Sequence, residues 1–396
     1  MKFRTVLLGA GASIDAGVPM ADKMTEVIYN ALTSGGSPST SIRSTSSPVK
    51  SALDVALGGI KYLQSTKQGK PFQEVGIEDL YATLIELSHR DSNVLAPFVG
   101  QWSQAVSSAE TVETKHAFED VANALERDLS THLGENSSRS RSVNLDQLRS
   151  ALRRMDAESR TRQYQNIYED AAKKILNEVV KLTWLGTDKD IDYLLKLVDS
   201  GKDKQLRIAT LNYDNTIELA ASKRGIAIDY GFSGSTFGVE FKVPSSISLN
   251  KLHGSANWKF DEHMQITHHK DKCEKPAMIF GAGNKLRAEG PYLDLLLSFR
   301  SWLLECDELE ICGYSFRDGH VNAIIRSWVS LNPKSKVIVI SPSINWEYIA
   351  YNLYDDRDAY EFTLNRFFET QVVLKKHFVL YKMKASEWFN SELQPS

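Results

Sequence analysis

Glycines and small polar residues recur in this chain where short apolar runs stop. The run Thr5 to Leu8 leads into Gly9-Ala10-Gly11-Ala12-Ser13 and on to Gly17-Val18-Pro19. Leu206 to Thr210 leads into Leu211-Asn212-Tyr213-Asp214, and Ile247 to Leu252 leads into His253-Gly254-Ser255. Leu309 to Cys312 ends in Gly313-Tyr314-Ser315, and Lys336 to Ile340 ends in Ser341-Pro342-Ser343. Glycine has no Cβ, so the first turn lets a backbone approach a pyrophosphate closely. The helix expected from Asp15 to Asn30 would add free N–H groups and a positive dipole end. The spacing Gly9-x-Gly11 alone is only part of a dinucleotide fingerprint. The later segments contribute a carboxamide, an imidazole, a carboxylate and several hydroxyls. These are groups that hold a hydroxylated ligand and move a proton near neutral pH.

Such residues act together only if the elements behind them bring them to one edge. Six further apolar runs read as strands: 206–210, 226–230, 247–252, 277–280, 309–313 and 336–340. Helical stretches at 215–224, 292–305 and 318–331 lie between several of them. Short buried strands alternating with helices predict an α/β fold, a doubly wound Rossmann-like parallel sheet covered on both faces. In such sheets ligands bind outside the carboxyl ends of the strands. The expected organisation is a discontinuous sheet domain of residues 1–32 and 200–345. A large helical insert over 33–199 interrupts it, and an aromatic-rich C-terminal helical extension over 346–396, with room for an edge element, follows. Residues 33–51 and 134–142 read as polar loops, and 77–85 and 117–129 as amphipathic helices.

The chain has 396 residues and a formal net charge of −3, so it can bury a full core and offers no electrostatic case for direct nucleic-acid or membrane binding. No apolar run reaches the length needed to cross a bilayer, and the N-terminal run is too short for a signal peptide. A cytoplasmic location is the expectation. Three cysteines, Cys273, Cys306 and Cys312, contain no C-x-x-C and support neither a disulfide framework nor a thiolate zinc site.

Taken in order, these segments resemble the sirtuins. Sirtuins carry G-A-G-x-S-x-x-S-G-I-P, then T-Q-N-x-D, then H-G, then G-T-S. Here the first is Gly9-Ala10-Gly11-Ala12-Ser13 through Gly17-Val18-Pro19, with Ala16 for serine. The second is Thr210-Leu211-Asn212-Tyr213-Asp214, with leucine for glutamine. The third is His253-Gly254 and the fourth Gly313-Tyr314-Ser315. Lys275-Pro276-Ala277-Met278-Ile279-Phe280-Gly281 resembles the R-P-x-x-V-x-F-G that follows the sirtuin zinc module. The two C-x-x-C pairs of that module are missing, since Trp258 to Glu274 holds only Cys273. The aromatic of the deacylases' D-F-R is missing too, since Val18-Pro19 continues into Met20-Ala21-Asp22. These departures resemble the branch that consumes NAD without a peptide, the bacterial anti-phage NAD hydrolases.

The resemblance implies NAD as substrate, no zinc, and cleavage to nicotinamide and ADP-ribose. It implies Asn212 and His253 as the catalytic pair. Gly9, Ala10, Gly11, Ser13, Gly17, Thr210, Asp214, Gly313, Ser315 and Ser341 are then dinucleotide-binding. It further implies a homo-oligomer, controlled by assembly or by a defence partner such as a HerA-like ATPase. A non-catalytic NAD or ADP-ribose sensor is the alternative, and a zinc-free deacylase the least favoured. Plainer roles stand beside these. The glycines are turn and packing residues, Asn212 and Asp214 are caps for the helix from Asn215, and Asp15 sits in a first helical turn. Asp318 is a helix N-cap, with His320 as a residue that lines the pocket. His263, His268, His269 and Cys273 match no standard zinc spacing, and Cys306 and Cys312 read as small core residues.

Overall fold

The computed structural model describes residues 3–33, 48–68, 75–90, 167–186, 190–203, 205–232, 241, 247–263, 265–281, 291–354 and 376–391. Seven of its strands form one parallel sheet. They are β1 (Arg4–Leu8), β2 (Leu206–Thr210), β3 (Ile228–Asp229), β4 (Ile247–Lys251), β7 (Glu308–Cys312), β8 (Lys336–Ile340) and β9 (Phe378–Tyr381). An antiparallel ribbon, β5 (Trp258–Phe260) with β6 (Ile266–His268), lies outside it. The order is β3-β4-β2-β1-β7-β8-β9. Without the two-residue edge strand β3, this is the doubly wound 3-2-1-4-5-6 order, with its reversal between β1 and β7. Leu206 to Thr210 and Ile247 to Lys251 are buried throughout, as expected of parallel strands covered on both faces. The fold is α/β and Rossmann-like.

The chain divides into two compact units, Met1–Met24 with Asn177–Ser396, and Thr25–Leu176. The described elements of the second unit are all helices. Among them are Pro48–Gln68 and Ile77–Ser88, which bury Ala52, Leu53 and Ala56, and Ile77, Leu80 and Leu84. The Thr25 hydroxyl donates to the Val75 carbonyl at 2.7 Å, and the Tyr29 hydroxyl to Asp54 at 2.6 Å. Pro48 opens its helix inside the expected loop 33–51, because a proline at a first helical position gives up no hydrogen bond. The expected helix at 117–129 and polar break at 134–142 lie outside the described residues.

Two local expectations change and a third is met. First, no helix starts at Asp15. Residues 10–12 form a single 3₁₀ turn, and the first α-helix is Ala21–Thr33. Gly17 at φ 90° and the ring of Pro19 forbid continuous helix between them. Second, 277–280 makes only an isolated bridge, Gly254 with Met278, bounded by Pro276 and by Gly281 at φ 94°. Third, the region from 346 holds the edge element expected beside its helices. Trp346–Tyr354 is helical, but Phe378–Tyr381 pairs with β8 as the edge strand before the helix Ala385–Asn390. Its Phe-Val-Leu-Tyr sequence suits a half-buried pleat.

Arg4, at the amino end of β1, grips Glu310 in the middle of β7 with two donors, at 2.6 and 2.9 Å. Trp388 Nε1 donates to the same carboxylate at 3.1 Å. This ties β1, β7 and the C-terminal helix together.

Candidate active site

Parallel register aligns the last residues of six strands in one row. Lys251 pairs with Thr210, Thr210 with Leu8, Leu8 with Cys312, Cys312 with Ile340, and Ile340 with Tyr381. Every segment singled out from the sequence therefore leaves the sheet along a single edge. Asn212 and His253 each stand two residues beyond a paired strand end, Thr210 and Lys251 respectively.

The glycine turn and the Gly313 turn interlock at the β1/β7 reversal. Gly9 N donates to Cys312 O at 2.9 Å and Gly11 N to Gly313 O at 2.9 Å. A Cβ on Gly9 would lie 2.6 Å from Gly313 O. One on Gly313, at φ +67°, would lie 2.3 Å from Ala12 N. These glycines are required because backbone packs on backbone there. Ala12 N and Ser13 N return to Gly9 O and Ala10 O at 2.9 and 3.2 Å. Of the amides from Ala10 to Ser13, only that of exposed Ala10 makes no backbone hydrogen bond among the described residues. The Tyr193 hydroxyl steadies the turn from below, donating to Ala12 O at 2.7 Å. Burial, then the carboxylates of Asp214 and Asp15, push its phenol well above the usual range and keep it a donor. Asp15 is not in a first helical turn. Its carboxylate accepts from Ser386 N at 3.1 Å, in the C-terminal helix.

Asn212 bridges this turn to the next strand end. Its Nδ2 donates to Gly9 O and to Ser13 Oγ, both at 3.0 Å, and its backbone N donates to Thr210 Oγ1 at 3.1 Å. Gly9 O can only accept, which fixes the amide orientation, and Oδ1 is left without a hydrogen bond among the described residues. Asp214 behaves as a cap. Its Oδ1 accepts from Thr216 N at 3.1 Å and from the Thr216 hydroxyl at 2.7 Å. Beneath it lies a residue that sequence reasoning missed. Lys251, 1% exposed, donates from Nζ to Asp214 O at 2.6 Å and to Glu218 at 2.7 Å. A lysine closing an otherwise buried strand was the available signal.

His253 is held on two sides. Ile279 N donates to its carbonyl at 2.8 Å, and its Nε2 lies 2.9 Å from Asp318 Oδ2. Gly254 turns the chain at φ +81°, where a Cβ would meet Ala277 O at 2.1 Å. Tyr213 packs between the two loops. Its ring lies 6.4 Å from that of His253 and 5.8 Å from Phe280, and its hydroxyl donates to Ile279 O at 2.5 Å.

The remaining expected residues spread along the same edge. Thr210 is buried, and its hydroxyl donates to Leu8 O at 3.3 Å. Ser341 is buried and accepts from Ile344 N at 3.4 Å, while Ser315 is exposed. Gly17 lies in open space farther along the first loop. In the ribbon region His268 meets Asn257 Nδ2 at 3.1 Å, and His269 meets the Thr267 hydroxyl at 3.1 Å. Among the described residues no three His, Cys, Asp or Glu side chains are grouped to share an ion, and no helix is long and apolar enough to cross a membrane.

Residues 206–357 match the family model described as a SIR2-like domain. No curated protein matches the chain significantly. The matched span opens on the first residue of β2 and takes in Asn212, His253, Gly313 and Ser341; the glycine turn precedes it. SIR2-like domains use NAD as substrate. That match lies on a doubly wound parallel sheet whose polar residues share one edge, so residues 206–357 are similar to a SIR2-like domain in both sequence and fold.

Proposed function

We propose that the protein is an NAD glycohydrolase, cleaving NAD to nicotinamide and ADP-ribose. The observation that carries this reading is the pairing of two loop residues on adjacent strand ends. Asn212 has its NH₂ spent on Gly9 and Ser13 and its amide oxygen left over, and His253 is tethered to a carboxylate. In the reaction the C1′–N bond breaks and its electron pair leaves with nicotinamide, which departs neutral. Water forms the new C1′–O bond and gives up a proton. The transition state resembles the oxocarbenium ion of glycoside hydrolysis. Asn212 Oδ1 stabilises the charge growing at C1′ or orients the water, and His253 takes the proton. The NAD phosphates lie along the Gly9–Ser13 and Gly313–Ser315 turns. Hydrolysis without a peptide is supported by the stretch between His253 and Lys275. It is a short ribbon with a single cysteine where the deacylases carry two C-x-x-C pairs. The setting we infer is NAD depletion in anti-phage defence, triggered by assembly or by a partner such as a HerA-like ATPase.

The test is nicotinamide and ADP-ribose release from NAD by the purified full chain, alone and with such a partner. Asn212→Ala and His253→Ala are each expected to lower turnover by about 10²–10⁴-fold while the fold is kept. Full activity in both variants would overturn the site. NAD binding without nicotinamide release by the wild type under every condition would favour a sensor.

A further inference from the structure

The residue facing His253 does two jobs at once. Asp318 Oδ1 accepts from His320 N and Val321 N, both at 3.0 Å, and so caps the helix Gly319–Leu331. Its other oxygen, Oδ2, is the atom 2.9 Å from His253 Nε2. The cap therefore fixes where the carboxylate points. Both residues are buried, Asp318 at 6% exposure and His253 at 6%.

The loop that delivers Asp318 is also held. Asp318 N donates to the Tyr314 hydroxyl at 3.2 Å, and that hydroxyl donates to Asn322 Oδ1 at 2.8 Å. Asn322 Nδ2 donates to Phe316 O at 2.8 Å. Phe316 is fully buried and sits at φ 53°, a left-handed conformation that a bulky residue adopts only where its surroundings impose it. The surrounding bonds hold it there.

We propose that Asp318 is a positioning residue that keeps His253 protonated on Nε2, leaving Nδ1 as its one basic nitrogen. A carboxylate only accepts hydrogen bonds, so the proton between Oδ2 and Nε2 belongs to the imidazole. Nδ1 makes no hydrogen bond among the described residues. It is the nitrogen that can take a proton from water or from a ribose hydroxyl. The tautomer rests on geometry alone, and its consequence for turnover rests on the hydrolase reading.

Asp318→Asn separates the two jobs. The single amide oxygen is needed by His320 N and Val321 N, so the helix stays capped. The NH₂ then faces Nε2, which must become the acceptor, and the proton moves to Nδ1. Long-range ¹H–¹⁵N correlation spectra of ¹⁵N-histidine-labelled full chain in mildly alkaline buffer report which nitrogen is protonated, with the His253 signals identified by their loss in His253→Gln. The expected result is Nε2–H in the wild type and Nδ1–H in Asp318→Asn, with NAD cleavage lowered about a hundredfold. Nδ1–H in the wild type overturns the proposal without any variant, and so does an unchanged tautomer in Asp318→Asn. A switched tautomer with undiminished cleavage overturns its role in turnover. If the wild type leaves NAD intact, the hydrolase reading fails while the spectra still decide the role of Asp318.

Discussion

The two halves of the site are built by opposite means. At the β1/β7 reversal, Gly9, Gly11 and Gly313 press backbone against backbone, with no room for a Cβ. At the ends of β2 and β4, side chains hold side chains: Asn212 on Ser13, His253 on Asp318, and Lys251 on Glu218. The first half makes a shape that tolerates almost no addition. The second half, Gly254 apart, makes an orientation set by hydrogen-bonding type rather than by a missing Cβ. One half therefore fails by losing its fold, and the other by losing its chemistry.

Gly313→Ala is the hardest test of this contrast. The added Cβ meets Ala12 N at 2.3 Å in a left-handed conformation. Overpacking and backbone strain together are expected to cost about 3–5 kcal/mol, read as a lowered urea midpoint. A variant of wild-type stability would show that the junction relaxes easily. Next comes Lys251→Met, which keeps the length of the buried side chain but strands the Asp214 carbonyl and the Glu218 carboxylate. Loss of about 1–3 kcal/mol is expected, with turnover down about tenfold as the Asn212 loop drifts. Turnover per folded molecule equal to the wild type would place Lys251 in the scaffold alone. The mildest is Tyr193→Phe, which removes only the hydrogen bond to Ala12 O. A cost of about 1 kcal/mol and a raised KM for NAD with little change in kcat are expected. A kcat effect larger than the KM effect would mean that this support reaches the reacting centre.

Much of the sheet was legible because its strands are short apolar runs that end abruptly in glycine or polar residues. Parallel strands buried on both faces have to read that way. The same logic collected Asn212, His253, Gly313 and Ser341 before any geometry was known. It failed where local pattern and local conformation part company. Asp15 to Asn30 carries helical spacing, yet Gly17 and Pro19 delay the helix to Ala21. Ala277 to Phe280 is apolar enough for a strand, yet it spends itself on a bridge to Gly254. Asp15 reads as a helix-start acid, yet it caps a helix near the other end of the chain through Ser386.

By itself the sequence determined the α/β class, the glycines that a tight junction demands, and which polar residues stand at strand ends. Each of these depends on a few neighbouring residues: an apolar run, a missing Cβ, a cap. Only the tertiary structure decided which of those residues work together. His253 and Asp318 are 65 positions apart, and Asn212 and Ser13 are 199 apart. They meet because parallel register sets six strand ends in one row. That register is a property of the whole sheet, and no local stretch encodes it.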